Sequence, residues 1–177
     1  MSTFLINASN LKQGGGIQVA DSICCYLCAY KQHQFIVVLS TFLNTTKKRI
    51  EEYENVVAVT YDIPSNFKTV VLGRDEYLDQ LVKKHNVNAV LTVFGPSRWK
   101  PKVAHLSGFA LPQMVIPDSP YFTRMSIVER AKWFFWKAIR KWSLNRSADN
   151  FWTENPYISA KLAALLGGET AERGGQF

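Results

Sequence analysis

Short apolar runs alternate along this chain with longer segments in which apolar residues recur every three or four positions. The short runs are typical of strands buried on both faces, and the longer segments predict amphipathic helices. The predicted strands are residues 4–7, 35–39, 56–61, 88–94, 112–116 and 149–153. The predicted helices are residues 17–30, 45–53, 74–86 and 126–147, with a last one from Asn155-Pro156 to Gly167-Gly168. Residues 101–108 predict a loop and a short helix.

This alternation predicts an α/β fold with a doubly wound, mostly parallel sheet of the Rossmann-like type. The predicted domain covers residues 1–167, and the polar residues 168–177 are expected to be a flexible tail or a truncated linker. Ligands bind such sheets in the loops at the carboxyl ends of the strands. The candidate binding residues in those loops are Asn7, Gly95, Ser97, Arg98, Asp118 and Glu154.

The composition predicts a folded chain, since 47% of the residues are hydrophobic and 20% are charged. The apolar runs are too short to span a bilayer. The first residues lack the basic segment and long apolar segment of a secretory signal. We therefore expect a cytoplasmic protein.

Positive charge is concentrated in one segment. Residues 124–146 contain seven Lys or Arg residues and one acid, so they carry +6 of the net charge of +7. A charge so localised predicts an anionic partner at this segment.

The helix predicted over residues 126–147 has two faces at 100° per residue. One face is apolar, and we expect it to pack on the core: Val128, Ala131, Phe134, Phe135, Ala138, Ile139 and Trp142. The opposite face carries Arg130, Trp133, Trp136, Lys137, Arg140 and Lys141. Two interpretations of this second face stay open: it binds an anionic membrane, or its rings pack on neighbouring side chains while its cations face water. No nucleic-acid-binding motif accompanies it.

Cys24, Cys25 and Cys28 lie within five residues, a spacing compatible with a metal or redox site. A zinc site would need a further pair of ligands that the sequence does not supply. We therefore expect three small apolar side chains on a helix, with no metal and no cofactor.

A glycine-rich turn, Asn10 to Gly16, leads from the first strand into a helix. Glycine lets the backbone approach an anion closely, and the free N–H groups and dipole of a helix N-terminus favour negative charge. The turn matches neither the dinucleotide fingerprint nor the phosphate-binding loop with its Gly-Lys-Ser/Thr. A tight strand-to-helix turn without a ligand is the alternative.

Three segments, in order, resemble glycosyltransferase family 4. They are residues 6–19 with the triple glycine, Phe94-Gly95-Pro96-Ser97 together with residues 105–112, and residues 148–158 with Ala148-Asp149 and Thr153-Glu154. The resemblance covers about residues 4–167. It implies one half of the two-domain GT-B architecture, in which the N-terminal domain mainly holds the acceptor and the C-terminal domain holds the nucleotide. The 177 residues include no second domain, so we do not expect the chain alone to catalyse transfer.

The resemblance also implies roles for individual residues. Gly14, Gly15 and Gly16 would contact the donor diphosphate when the cleft closes. His105 and Asp118 would orient the acceptor hydroxyl. Each has a structural alternative: a buried core histidine for His105, a turn residue for Asp118 and a helix N-terminal acid for Glu154.

The predicted function is the acceptor-binding N-terminal domain of a retaining glycosyltransferase. Such an enzyme moves a sugar from a nucleotide-sugar donor to a glycan or lipid-linked acceptor, usually without a bound metal, and a lipid-linked acceptor would place it at the inner face of the membrane. Two alternatives stay open: a non-catalytic Rossmann-like module that binds a nucleotide or sugar, and a peripheral membrane or nucleic-acid adaptor that acts through the basic helix.

Overall fold

A parallel β-sheet forms the centre of the protein in the computed structural model, which describes residues 1–116, 122 and 125–167. Within these residues the sheet has six strands in the order β3-β2-β1-β4-β5-β6. The strands are β1 (Thr3–Ala8), β2 (Gln34–Leu39), β3 (Val56–Thr60), β4 (Ala89–Thr92), β5 (Ala104–Gly108) and β6 (Asn150–Trp152). The chain moves outward from β1 in both directions, which confirms a doubly wound, Rossmann-like α/β fold.

The α-helices of the described residues are α1 (Gly15–Cys28), α2 (Asn44–Ile50), α3 (Glu76–Lys84), α4 (Ile127–Ser147) and α5 (Pro156–Leu166). Short turns of 3₁₀ type occupy Thr41–Leu43 and Pro112–Met114, and a π-type turn occupies Lys68–Leu72.

Apolar side chains lie on both faces of the sheet because successive residues of a strand point in opposite directions. Ile6 and Val37 pack with Cys24 of α1 on one face. Leu5 and Ile36 lie on the other face, in a cluster with Leu78 and Leu81 of α3 and with Trp99. Burial on both faces explains why β1 and β2 are almost continuous apolar runs.

Three helices begin at side chains that accept a hydrogen bond from the first turn. Asp75 caps α3, Ser126 and Glu129 form a reciprocal capping box at α4, and Asn155 caps α5 with Pro156 in the next position. α5 ends at Gly167, whose φ of 97° suits glycine. The sequence predicted the starts of α4 and α5 correctly to within one residue.

The predicted fifth strand was wrong. Residues 112–116 begin with a 3₁₀ turn, and Met114 and Val115 are buried against Leu144 and Ile158. The fifth strand is instead Ala104–Gly108, in the segment predicted to be a loop and short helix. Its buried polar residues His105 and Ser107 hide the apolar pattern on which the prediction depended.

The predicted inward face of α4 was also wrong. Leu144 is buried and Trp133 is partly buried in a cluster with Met114 and Ile158, so the side of α4 that carries these two residues faces the protein. Phe134 and Phe135, which were expected in the core, are exposed.

Gly108 allows β4, β5 and β6 to approach one another closely. A Cβ at this position would lie 2.0 Å from the carbonyl oxygen of Val93 and 2.8 Å from the ring of Trp152. The carbonyl belongs to backbone and cannot move aside like a flexible side chain.

We expect Gly108→Ala to lower the free energy of unfolding by about 3 kcal/mol, because the added methyl group overlaps backbone. Chemical denaturation of wild type and variant measures the difference. Gly15→Ala is the matched control, because a Cβ at Gly15 meets nothing within 4 Å. Equal stabilities for the two variants would contradict the close approach.

Candidate functional site

The carboxyl ends of β1, β4, β5 and β6 lie side by side in the sheet. The loops that follow them therefore meet at one edge, which we call the carboxyl edge. They include the glycine-rich turn after β1, residues 93–98 after β4, and Thr153 and Glu154 after β6. The order reverses between β1 and β4, and this switch point is where such sheets bind ligands.

The glycine-rich turn opens onto free space at the start of α1. Gly14 takes the cap position with a φ of 74°, a left-handed value that favours glycine. A Cβ at Gly14 or Gly15 would meet no atom within 4 Å. The backbone N–H groups of Gly15 and Gly16 bond to no group in the described residues, and no side chain there caps the helix. Such a helix end offers donors and partial positive charge to an anion.

Two hydrogen bonds between the turn and residues outside it hold it in place. Asn10 Nδ2 donates to the carbonyl oxygen of Phe94 at 2.8 Å, and the Ser40 hydroxyl donates to the carbonyl oxygen of Leu11. Asn10 Oδ1 is buried and has no hydrogen-bond partner among the described residues. The turn after β1 is thus fixed to the loop after β4, with which it shares the carboxyl edge.

Below this edge, a chain of buried hydrogen bonds connects β1, β4 and β5. The Ser9 hydroxyl donates to Asn7 Oδ1 at 2.7 Å, and Asn7 Nδ2 donates to the Thr92 hydroxyl at 3.4 Å. Thr92 Oγ1 lies 2.8 Å from His105 Nε2, and His105 Nδ1 lies 2.5 Å from the carbonyl oxygen of Ser147. Since a carbonyl only accepts, Nδ1 carries the proton and Nε2 accepts from Thr92.

His105 is therefore a neutral histidine in the core. Its side chain is only 3% exposed. Burial lowers its pKa to about 4, although the bond to Ser147 and the charge of Asp149 raise it. Both ring nitrogens are occupied, so this geometry favours a role in holding Thr92 and the end of α4 over contact with an acceptor.

The loop after β4 is shaped by its backbone. The Gly95-Pro96 peptide bond is cis, and Gly95 donates to the carbonyl oxygen of Gly108 at 2.7 Å. Ser97 is buried, and its hydroxyl donates to the carbonyl oxygen of Trp99 at 2.7 Å. Arg98 is half-buried and donates to the carbonyl oxygen of Ile63 at 3.4 Å. Ser97 and Arg98 therefore shape the loop, and Gly95 allows its approach to β5.

The remaining candidate residues differ in their exposure at the carboxyl edge. Glu154 is exposed at the carboxyl edge, next to the Asn155 cap of α5. Asn7 is buried beneath the edge and bonds Ser9 and Thr92. Asp118 lies outside the described residues.

The sequence did not single out Asn10 or Thr92, which tie the loops and strands of the site together. Asn10 is the polar residue that opens the glycine-rich turn, and Thr92 stands in the last position of β4. A short polar side chain at the end of an otherwise apolar strand is the signal that could have identified Thr92.

The three cysteines line one side of α1. Cys24 and Cys28 are buried, and all three are free thiols. Burial raises the pKa of all three thiols, that of Cys28 to about 12. In the described part of the chain, no group of three or more His, Cys, Asp or Glu side chains is arranged to hold a metal ion.

None of the helices within the described ranges is both long enough and apolar enough to cross a membrane. Comparison with models of protein families gives no match, and no curated protein compared with the chain is significantly similar to it.

Stability should fall as the pH falls from about 6.5 to about 4. In this range the unfolded chain protonates His105, whereas the folded chain keeps it neutral. The full effect is about 3 kcal/mol at pH 4 and vanishes above the unfolded pKa. Denaturation at a series of pH values should show a flatter profile for His105→Gln than for wild type, and a smaller flattening for His85→Gln, because partial burial and the charge of Lys84 also lower the pKa of His85. Parallel profiles for wild type and His105→Gln would contradict a buried neutral imidazole.

A thiol reagent at pH 8 should modify about one cysteine per folded chain, namely Cys25, because Cys24 and Cys28 are buried and remain protonated. All three should react after unfolding. Rapid modification of three thiols, or stoichiometric zinc in protein purified without metal-affinity steps, would contradict this packing.

Proposed function

We propose that this chain is the acceptor-side domain of a retaining glycosyltransferase. The enzyme would move a sugar from a nucleotide-sugar donor to a glycan or lipid-linked acceptor. The observation that carries the proposal is the open glycine-rich turn, whose unpaired Gly15 and Gly16 N–H groups lie at the switch point of a Rossmann-like sheet. The ligand proposed for this turn is the donor diphosphate, which is what the resemblance of three ordered segments to glycosyltransferase family 4 implies.

Backbone N–H donors are suited to the proposed sugar transfer. When the bond between sugar and nucleotide breaks, negative charge develops on the departing diphosphate. Fixed N–H groups stabilise that charge without reorganising during the reaction, and they need no bound metal. The bonds from Asn10 and Ser40 hold the turn in one position, which such preorganisation requires.

The acceptor would lie across the ends of β4, β5 and β6. Glu154 has an exposed carboxylate on this side and is a candidate to bond an acceptor hydroxyl. Gly95, Ser97 and Arg98 would shape the floor of this acceptor site, which is the loop after β4. His105 would support that floor through Thr92, and the proposed role of Asp118 in orienting the hydroxyl stays a prediction.

In this proposal a second domain supplies the nucleotide site, and the glycine-rich turn closes on the diphosphate from the other side of a cleft. The protein would act in the cytoplasm, at the inner face of the membrane when the acceptor is lipid-linked. A non-catalytic nucleotide- or sugar-binding module is the alternative. With the second domain present, a glycosyltransferase would transfer sugar, whereas such a module would bind its ligand without turnover.

The isolated chain should show no sugar transfer and should bind a nucleoside diphosphate only weakly, with a Kd in the millimolar range. Titration of labelled protein should shift the amide resonances of Gly14, Gly15 and Gly16 first. Gly15→Asp should abolish the shifts through charge repulsion, and Gly15→Asn, of the same shape, should keep most of them.

Two results would contradict the proposal. Resonance changes confined to other loops would mean that the turn is only a tight connection. Micromolar affinity of the isolated chain for a nucleotide sugar, measured by calorimetry, would mean that the nucleotide site lies within this domain.

A further inference from the structure

The outward side of α4 carries a continuous apolar stripe. Its large members are Ile127, Val128, Phe134, Phe135 and Trp142, with exposed fractions of 87, 62, 77, 67 and 47%. At 100° per residue they fall within an arc of about 120°. Ala131 and Ala138, also exposed, fill the gaps between them. We call these seven residues the apolar stripe.

The opposite side of α4 attaches the helix to the protein. Leu144 is buried and Trp133 is partly buried in the same cluster, and the Arg140 guanidinium lies 5.9 Å from the centre of the Trp133 ring. In the last turn, at the edge of the stripe, Arg146 donates to the carbonyl oxygens of Val70 and Val71, and its guanidinium lies 4.2 Å from the centre of the Trp142 ring. Burial of Leu144 and Trp133 turns the N-terminal and central part of the stripe outward, and the capping box completes the first turn without another element.

Cations flank the stripe on both sides. Lys141 and Arg130 lie beyond one edge and Lys132 beyond the other, and all three are exposed. The helix contains six basic residues and one acid, Glu129, so it carries +5 of the net +7. Hydrogen bonds from Ser126 lower the pKa of Glu129, which keeps this acid charged within the cap.

We propose that the apolar stripe inserts into the surface of an anionic lipid bilayer. Aromatic and aliphatic side chains bordered by Lys and Arg are suited to the boundary between headgroups and acyl chains. A second copy of the chain is a poor occupant of the stripe, because pairing two such helices would bring together the exposed cations Arg130, Lys132 and Lys141 of both copies. The inference rests on the proposed function in one respect: a lipid-linked acceptor is found at such a surface.

The stripe replaces the surface expected from the sequence. Trp133, Lys137 and Arg140 lie towards the protein side of α4, where Trp133 is packed. Trp136 is 55% exposed but lies about 80° beyond the nearest edge of the stripe. It therefore provides a control, an exposed tryptophan on the same helix that should not insert.

The test uses the full 177-residue chain and vesicles of phosphatidylglycerol and phosphatidylcholine, with no donor or acceptor present. Phe134→Ser combined with Phe135→Ser should lower partitioning onto the vesicles about 100-fold, because two rings no longer leave water. The melting temperature should not fall, since both rings are exposed in the folded chain. Trp136→Ser should bind like wild type.

A second pair of substitutions tests the charges. Lys132→Gln combined with Lys141→Gln should lower binding to anionic vesicles about 30-fold. It should not change binding to neutral vesicles, and raising the salt concentration should reduce the difference.

Three outcomes would overturn the inference. The first is equal binding of wild type to anionic and neutral vesicles, or no binding to either. The second is a fall in melting temperature for the Phe134 and Phe135 double variant, which would make the stripe a packing surface. The third is a concentration-dependent dimer of wild type that this variant abolishes. No sugar-transfer step enters these measurements, so failure of the proposed glycosyltransferase function would leave their result unchanged.

Discussion

The buried chain of hydrogen bonds from Ser9 to Ser147 is the constraint on which the rest of the structure depends. It joins the end of β1 to β4, β4 to β5, and β5 to the end of α4. Removing one of these side chains would leave a buried polar group of its partner without a hydrogen bond, which costs about 1–3 kcal/mol of stability. The hydrogen bonds therefore fix the strand ends relative to one another, and with them the positions of the loops that follow. The glycine-rich turn, which follows β1, is positioned in this way.

The sequence predicted most of the sheet and the starts of the later helices, for local reasons. β1 and β2 are apolar runs, and Ser126 and Asn155 satisfy the first turns of their own helices. β5 was missed because its identity depends on partners elsewhere in the chain: His105 needs Thr92 and Ser147, and Gly108 needs the approach of Val93 and Trp152. Local pattern cannot contain that information. The glycine-rich turn was found because glycine, a helix start and a strand end are all local signals, whereas its tether to Phe94 is not.

The inverted face of α4 has a different cause. Helical periodicity identifies an apolar face, but it does not say what that face contacts. The residues that decide the orientation lie on the other side of the helix: Leu144 is buried in the core cluster, and Trp133 is partly buried in the same cluster. Trp133 lies on the inner side with the Arg140 guanidinium 5.9 Å from the centre of its ring, although the helical pattern assigns both residues to the outward, basic face.

Topology connects the apolar stripe with the candidate site. A helix between two parallel strands runs back across the sheet, so α4 begins at the carboxyl edge and ends near the start of β6. Its 21 residues span about 31 Å, whereas the five residues of β5 span about 16 Å. The helix is thus about twice as long as the strand, and every residue of its first six, Ile127 to Lys132, is exposed. The start of the apolar stripe and the candidate site therefore lie at the same end of the sheet. In the proposed function, a lipid-linked acceptor at the membrane would lie at this end of the protein, where Glu154 is exposed.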